Sequence, residues 1–167
     1  MDVALRDSTT EDLEWLVELR AVVLRDDLTR LGVFDETRVR QRLRDAFQPQ
    51  LTRIVVVDGR DVGSITVRIE DDVRWVEHFY LAPDVQGRGV GSTVLRAVLD
   101  EPHDGLTRLN VLVGSPARRL YERHGFVLDT DDGVDVFMTL RAADRAPHGA
   151  RRAARRRRRP SGARPVR

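Results

Sequence analysis

Trp75–Leu99 reads WVEHFYLAPDVQGRGVGSTVLRAVL, and its character changes halfway along. The aromatic and β-branched residues up to Leu81 are those of a strand, which Pro83 punctuates. Val90, Val94, Leu95, Val98 and Leu99 then recur at helical spacing. Between the two, Gln86-Gly87-Arg88-Gly89-Val90-Gly91 opens the helix. Glycines there allow close approach of the backbone to a ligand and positive φ. The free N–H groups of a helix's first turn, with its dipole, make an anion site suited to phosphates. Ser92 and Thr93 add hydroxyl donors and Arg88 adds charge. Two rival phosphate loops are set aside. A P-loop needs Lys followed by Ser or Thr after its last glycine, where Ser92-Thr93 stand, and the dinucleotide fingerprint needs a third glycine where Ser92 stands.

Upstream, Val3–Arg6 reads as a short strand. Ser8, Thr9 and Thr10 offer an N-cap, and Glu11 and Asp12 suit the positive end of the helix dipole. Leu13, Leu16, Val17, Arg20, Ala21 and Leu24 then recur at helical spacing and give an amphipathic helix, and a second one starts at Asp35 with Val39, Leu43 and Phe47 on one stripe. Three strands follow, 53–57, 62–69 and 73–81, joined by turns at Asp58-Gly59-Arg60-Asp61 and Asp71-Asp72. Strict alternation puts Trp75, Glu77, Phe79 and Leu81 on one face of the last strand and His78 and Tyr80 on the other. Downstream come a strand at 106–113, a helix at 116–124 and strands at 126–128 and 134–140. The order β-α-α-β-β-β-α-β-α-β-β describes an α/β protein of α+β type, with a mixed sheet covered by about four helices.

A second segment, SPARRLYERHGF at Ser115–Phe126, stands at a fixed distance behind the first. With Gln86, Gly89 and Gly91 after the Leu81-Ala82-Pro83 step, it makes the chain resemble the GNAT superfamily of acyl-CoA-dependent N-acetyltransferases. The resemblance spans nearly all of residues 1–140 and implies a mostly antiparallel sheet with one splayed parallel pair. It implies acetyl-CoA as co-substrate. The backbone of Leu81 and Phe79 would meet the pantetheine arm, and the loop Gln86, Gly87, Arg88, Gly89, Val90, Gly91 and Ser92 the diphosphate. Where relatives often carry Asn, this chain has Ser115, which still suits a helix cap.

Transfer of acetyl to an amine needs a base, oxyanion stabilisation and an acid for the departing thiolate. The resemblance implies Tyr121 as that acid. It also points to a carboxylate base on the face shared with Leu81, for which Glu77 leads; His78, whose ordinary pKa suits a base near neutrality, is second. The oxyanion would meet a backbone N–H, that of Leu81. The resemblance implies as acceptor a primary amine of a small molecule or a protein. It places the pocket between 25–35 and 129–135, where Asp26, Asp27, Asp35, Asp129, Asp131, Asp132 and Asp135 serve either as an acidic rim for a cation or as ordinary turn and cap residues. Attack would be direct, in a ternary complex; a chain with no Cys has no thiol nucleophile. His103, His124 and His148 lack partners at metal-ligand spacing, so no metal is expected.

Composition sets the outer limits. A chain of 167 residues, 41% hydrophobic, suits one compact domain with a real core. No stretch approaches the ~20 apolar residues of a membrane span, and Met1-Asp2-Val3 does not begin like a signal peptide, so a cytoplasmic protein is expected. All 29 basic side chains are Arg, a bias that a GC-rich genome would produce on its own. They are unevenly placed: residues 141–167 hold eleven Arg and one acid, Asp144, whereas 1–140 carry a net charge of −8. Residues 1–140 read as the acetyltransferase domain, and 141–167 as a basic tail too polar to bury a core. Two readings of another class stay open: a catalytically silent acyl-CoA-binding module, and nucleic-acid binding through the tail, which has no aromatic residue to stack on bases. A homodimer is compatible with any of them.

Overall fold

The computed structural model describes residues 1–144. The expected basic tail lies outside the described residues beyond Asp144, and the readings of disorder and nucleic-acid binding go with it. The elements are β1 (Val3–Asp7), α1 (Leu13–Arg30), α2 (Glu36–Ala46), β2 (Thr52–Val57), β3 (Arg60–Glu70), β4 (Val73–Leu81), α3 (Val90–Asp100), β5 (Thr107–Leu112), α4 (Ala117–Arg123), β6 (Val127–Asp131) and β7 (Asp135–Leu140). This is the order expected from the sequence; most ends shift by a residue or two, whereas α1 runs on to Arg30 past the expected stripe ending at Leu24, and β6 runs on to Asp131 and not to Leu128.

Local chemistry explains the boundaries. Thr9 and Asp12 form a capping box ahead of α1, and the Asp12 carboxylate also accepts from Arg6 at 2.8 and 3.0 Å and from Trp15 Nε1 at 3.1 Å. Asp35 caps α2, its Oδ1 accepting from Arg38 N–H at 2.7 Å. Only Val39 and Leu43 are buried from α2. At about 1.5–3 kcal/mol each, they leave a cap of about 1 kcal/mol as a sizeable share of what holds that helix. Phe47, expected on the α2 stripe, has left the helix as its C-cap and packs beside Leu43. Both hairpin turns of the meander carry two residues at positive φ, Asp58-Gly59 (48° and 79°) and Asp71-Asp72 (49° and 59°), as tight two-residue turns require.

The seven strands run β1-β2-β3-β4-β5-β7-β6, and every neighbouring pair is antiparallel except β4–β5. That parallel pair is joined at Arg74↔Thr107 and Trp75↔Arg108 alone, so from Val76 onward the two strands diverge. The closed end is pinned by Arg74, 2% exposed, whose guanidinium donates to Val98 O at 2.7 Å, to Glu101 O at 3.2 Å and to Thr107 Oγ1 at 3.2 Å. One cation thus satisfies the last carbonyls of α3 and holds the start of β5.

Two cores lie on the two faces of the sheet. Alternation along β2 sends Ile54 toward α1 and α2, against Leu16, Val17 and Leu43. It sends Val55 toward α3, where Ile65, Val76, Val94, Leu95, Leu109 and Met138 form the larger cluster with Tyr121 and Phe126 of the α4 segment. The expectation of a mixed sheet with one splayed parallel pair and four helices is met.

Candidate active site

The open end of the splay is shaped by a bulge. While β3 advances from Ser64 to Thr66, β4 runs from Tyr80 back to Glu77, one residue more. His78 takes up the difference with a left-handed φ of 45°. The expected alternation therefore fails beyond Glu77, because an extra residue reverses parity. Tyr80 pairs with Ser64 and Glu77 with Thr66, so both lie on the face toward α1. Leu81 pairs with Gly63 and, with Phe79, packs into the cluster on the α3 face. Glu77 and Leu81, expected on one face, lie on opposite ones.

Gly63 is what lets the bulged strand come so close: a Cβ there would sit 2.1 Å from Tyr80 O. Ala82 N–H donates to Val62 O at 2.7 Å. The neighbouring Gly63–Leu81 pair is then of the non-hydrogen-bonded kind, and the Leu81 N–H and C=O point away from β3 into the splay. The carbonyl accepts from Gln86 Nε2 at 2.8 Å, which ties the strand end to the loop behind it.

That loop behaves as its glycines suggest. Gly87 and Gly89 have φ of 71° and 84°, and a Cβ on either would meet nothing within 4 Å, so both border open space. Gly89 is the N-cap of α3, and no side chain caps that end, which leaves first-turn N–H groups for an external acceptor. Val90 is buried beneath the loop and anchors it, while Gly91 packs where a Cβ would come within 3.2 Å of Leu120. Arg88 is exposed beside Gly89. Ser92 Oγ lies 2.7 Å from His124 Nε2, a link between α3 and the end of α4. Ser115 Oγ accepts from Ala117 N–H at 3.3 Å in a turn just ahead of α4, whose N-cap is Pro116, so the expected serine cap is replaced by a local bond one residue earlier.

Tyr121 is 6% exposed and its ring meets Phe126 edge-on at 6.0 Å. Burial, reinforced by nearby Tyr80, pushes its hydroxyl above the ordinary tyrosine range, so it holds its proton firmly. No hydrogen bond within the described residues engages that hydroxyl. On the α1 face, Arg68 grips both oxygens of Glu77 at 2.9 and 3.3 Å and lies over Trp75 at 5.7 Å, with Arg108 over the same ring at 5.2 Å. His78 is half-buried; burial pulls its pKa below the usual histidine value, Arg20 adds to this and Glu77 opposes it. Its Nδ1 is 3.2 Å from Tyr80 Oη, which accepts from Arg20 Nε at 3.0 Å. Helical spacing puts Arg20 on the stripe of α1 but gives no sign of its bond to Tyr80, sixty positions on.

Six of the seven carboxylates of the acidic rim are engaged in structure. Asp27 pairs with Arg30 at 2.9 Å and Asp129 with Arg108 at 2.5 Å. Asp35 is a cap, Asp131 and Asp132 close the last turn, and Asp135 accepts from Asn110 at 2.8 Å. No cluster of three or more metal-ligating side chains occurs among the described residues, and no helix among them is long and apolar enough to cross a membrane.

Comparison with known proteins supports the same architecture. A family model described as an acetyltransferase (GNAT) domain matches residues 50–128, the interval that contains the bulged strand, the glycine loop and α4. PaiA N-acetyltransferase from Thermoplasma acidophilum, solved with coenzyme A, superposes with a TM-score of 0.68 at 21% identity, over 84% of this chain and 99% of that one. The ribosomal-protein-S18-alanine N-acetyltransferase of Escherichia coli gives 0.63 at 19% identity, over 89% and 98%. Spermidine N-acetyltransferase from Vibrio cholerae, solved with CoA and spermine, gives 0.59 at 18% identity, over 85% and 96%. No curated protein sequence matches the chain. Residues 50–128 thus match the model of a GNAT acetyltransferase domain, and the splayed sheet and open glycine loop belong to a fold shared with these solved acetyltransferases.

Proposed function

We propose that this protein transfers an acetyl group from acetyl-CoA to a primary amine by direct attack in a ternary complex. The observation that carries the reading is the free edge of β4 running into an uncapped, open glycine turn. A strand edge with unused N–H and C=O groups suits the amide-bearing pantetheine arm, here at Phe79 and Leu81. First-turn N–H groups from Gln86 to Ser92 suit the diphosphate, with Arg88 adding charge and Ser115 holding α4 in place. Two relatives of this fold were solved with CoA.

Acetyl-CoA supplies the acyl group as an activated thioester. The acceptor nitrogen forms the C–N bond, the C–S bond breaks, one proton leaves the nitrogen and one reaches the sulfur. Tyr121, buried and fully protonated, donates to the sulfur. Glu77 receives the amine's proton through water, with Arg68 fixing the carboxylate, and His78 is the second candidate on the same strand. The Leu81 N–H, unused by β3, meets the developing oxyanion. The acceptor is an amine of a small molecule or a protein, and the site is expected to work in the cytoplasm.

Thiol release from acetyl-CoA across a panel of amines tests the activity. Gly89→Glu places a carboxylate in the open turn and is expected to abolish acetyl-CoA binding by calorimetry, with the fold retained. Wild-type affinity in that variant would overturn the assignment of the loop.

A further inference from the structure

The phenol of Tyr80 stands between two nitrogens, and only one arrangement of hydrogens satisfies all three groups. Arg20 Nε, 3.0 Å away, can only donate, so it occupies a lone pair of the phenol oxygen. Tyr80 is 9% exposed and burial raises its pKa, so the phenol keeps its single proton. A buried O–H without an acceptor is costly. The acceptor that the described residues place within reach is His78 Nδ1 at 3.2 Å. A neutral imidazole that accepts at Nδ1 carries its hydrogen on Nε2. That nitrogen has no protein partner among the described residues, and Arg20 itself is held in place by a second hydrogen bond, to Val39 O on α2.

We propose that Arg20 and Tyr80 are positioning residues that lock His78 in its Nε2–H tautomer. His78 then meets the acceptor as a hydrogen-bond donor to an oxygen beside the amine, and not as the base. The acceptor class this favours is an amine flanked by a carbonyl or hydroxyl, of the aminoacyl or amino-alcohol kind. The ammonium groups of a plain polyamine only donate and leave Nε2–H without a partner. The assignment of acceptor class rests on the acetyl-transfer reading; the tautomer does not.

Two measurements decide. In the 15N–1H spectrum of the full-length wild type, with the His78 signals assigned by their loss in His78→Gln, Nδ1 should show the shift of an unprotonated acceptor and Nε2 that of a protonated nitrogen. A hydrogen on Nδ1 would overturn the proposal. With an aminoacyl amide as acceptor, His78→Gln, which still donates, should exceed His78→Ala by roughly tenfold in kcat/KM, whereas equal losses in both would overturn the donor role. Failure of every amine to turn over would sink the acetyl-transfer reading, and the nitrogen spectrum would still decide the tautomer.

Discussion

Burial, with Tyr80 nearby, keeps the hydroxyl proton on Tyr121. Its hydroxyl sits in the larger core and is pushed above the ordinary tyrosine range, so it stays protonated throughout neutral and mildly alkaline pH. On the proposed role, Tyr121→Phe keeps the ring against Phe126 and removes only the donated proton. The expected result is a fall in kcat of about 10²-fold with little change in KM for acetyl-CoA, checked by steady-state thiol release. Thermal stability should hardly move, since the hydroxyl makes no hydrogen bond among the described residues.

Among the elements, the junction of β1 and α1 is the most heavily wired. The Asp12 carboxyl is held well below the usual carboxylate range, chiefly by its hydrogen bonds to Arg6 and, more weakly, by the Thr9 N–H and Trp15 Nε1, while burial works the other way. A carboxyl whose folded pKa lies below its unfolded value near 3.9 stabilises the fold fully above that pH and loses its effect as the pH falls through the folded value. Asp12→Ala should therefore cost about 2–4 kcal/mol at pH 7, and its gap to wild type in urea titrations should narrow below about pH 4. The elements themselves are legible in the chain because each is announced locally: Thr9 and Asp35 as caps, Asp58-Gly59 and Asp71-Asp72 as turns, Pro83 as a stop. The bulge is not, because His78 in left-handed backbone is set by the pairing of β4 with β3 and by the close approach that Gly63 permits, neither of which a period of two contains. The same holds for Arg20, whose role depends on α1 crossing the far end of β4. The open glycine turn could be read from its residue types and spacing, whereas the role of Tyr121 came only through the family resemblance; the faces of Glu77 and Tyr80 could not be read, since parity reverses between them.

At the scale of the molecule, residues 1–144 contain the seven described strands, two cores and the proposed site. A chain ending at Asp144 is expected to keep its Tm within a few degrees and to retain turnover in the thiol-release assay. Loss of turnover with the fold intact would transfer the function to the basic tail. The two arms of the sheet meet at only two residue pairs, so the amide of Leu81 faces a gap that none of the described strands fills. Hydrogen exchange at the Leu81 amide should be fast in the free protein and slowed by CoA, and at a hundredfold excess over its Kd the donor should raise unfolding free energy by about 2.7 kcal/mol. The fold has in effect been left one strand short, and on the proposed function the nucleotide thioester would be the missing plank: with it in place the sheet would run unbroken from edge to edge, and the reagent would become, for the length of a turnover, part of the protein's own scaffolding.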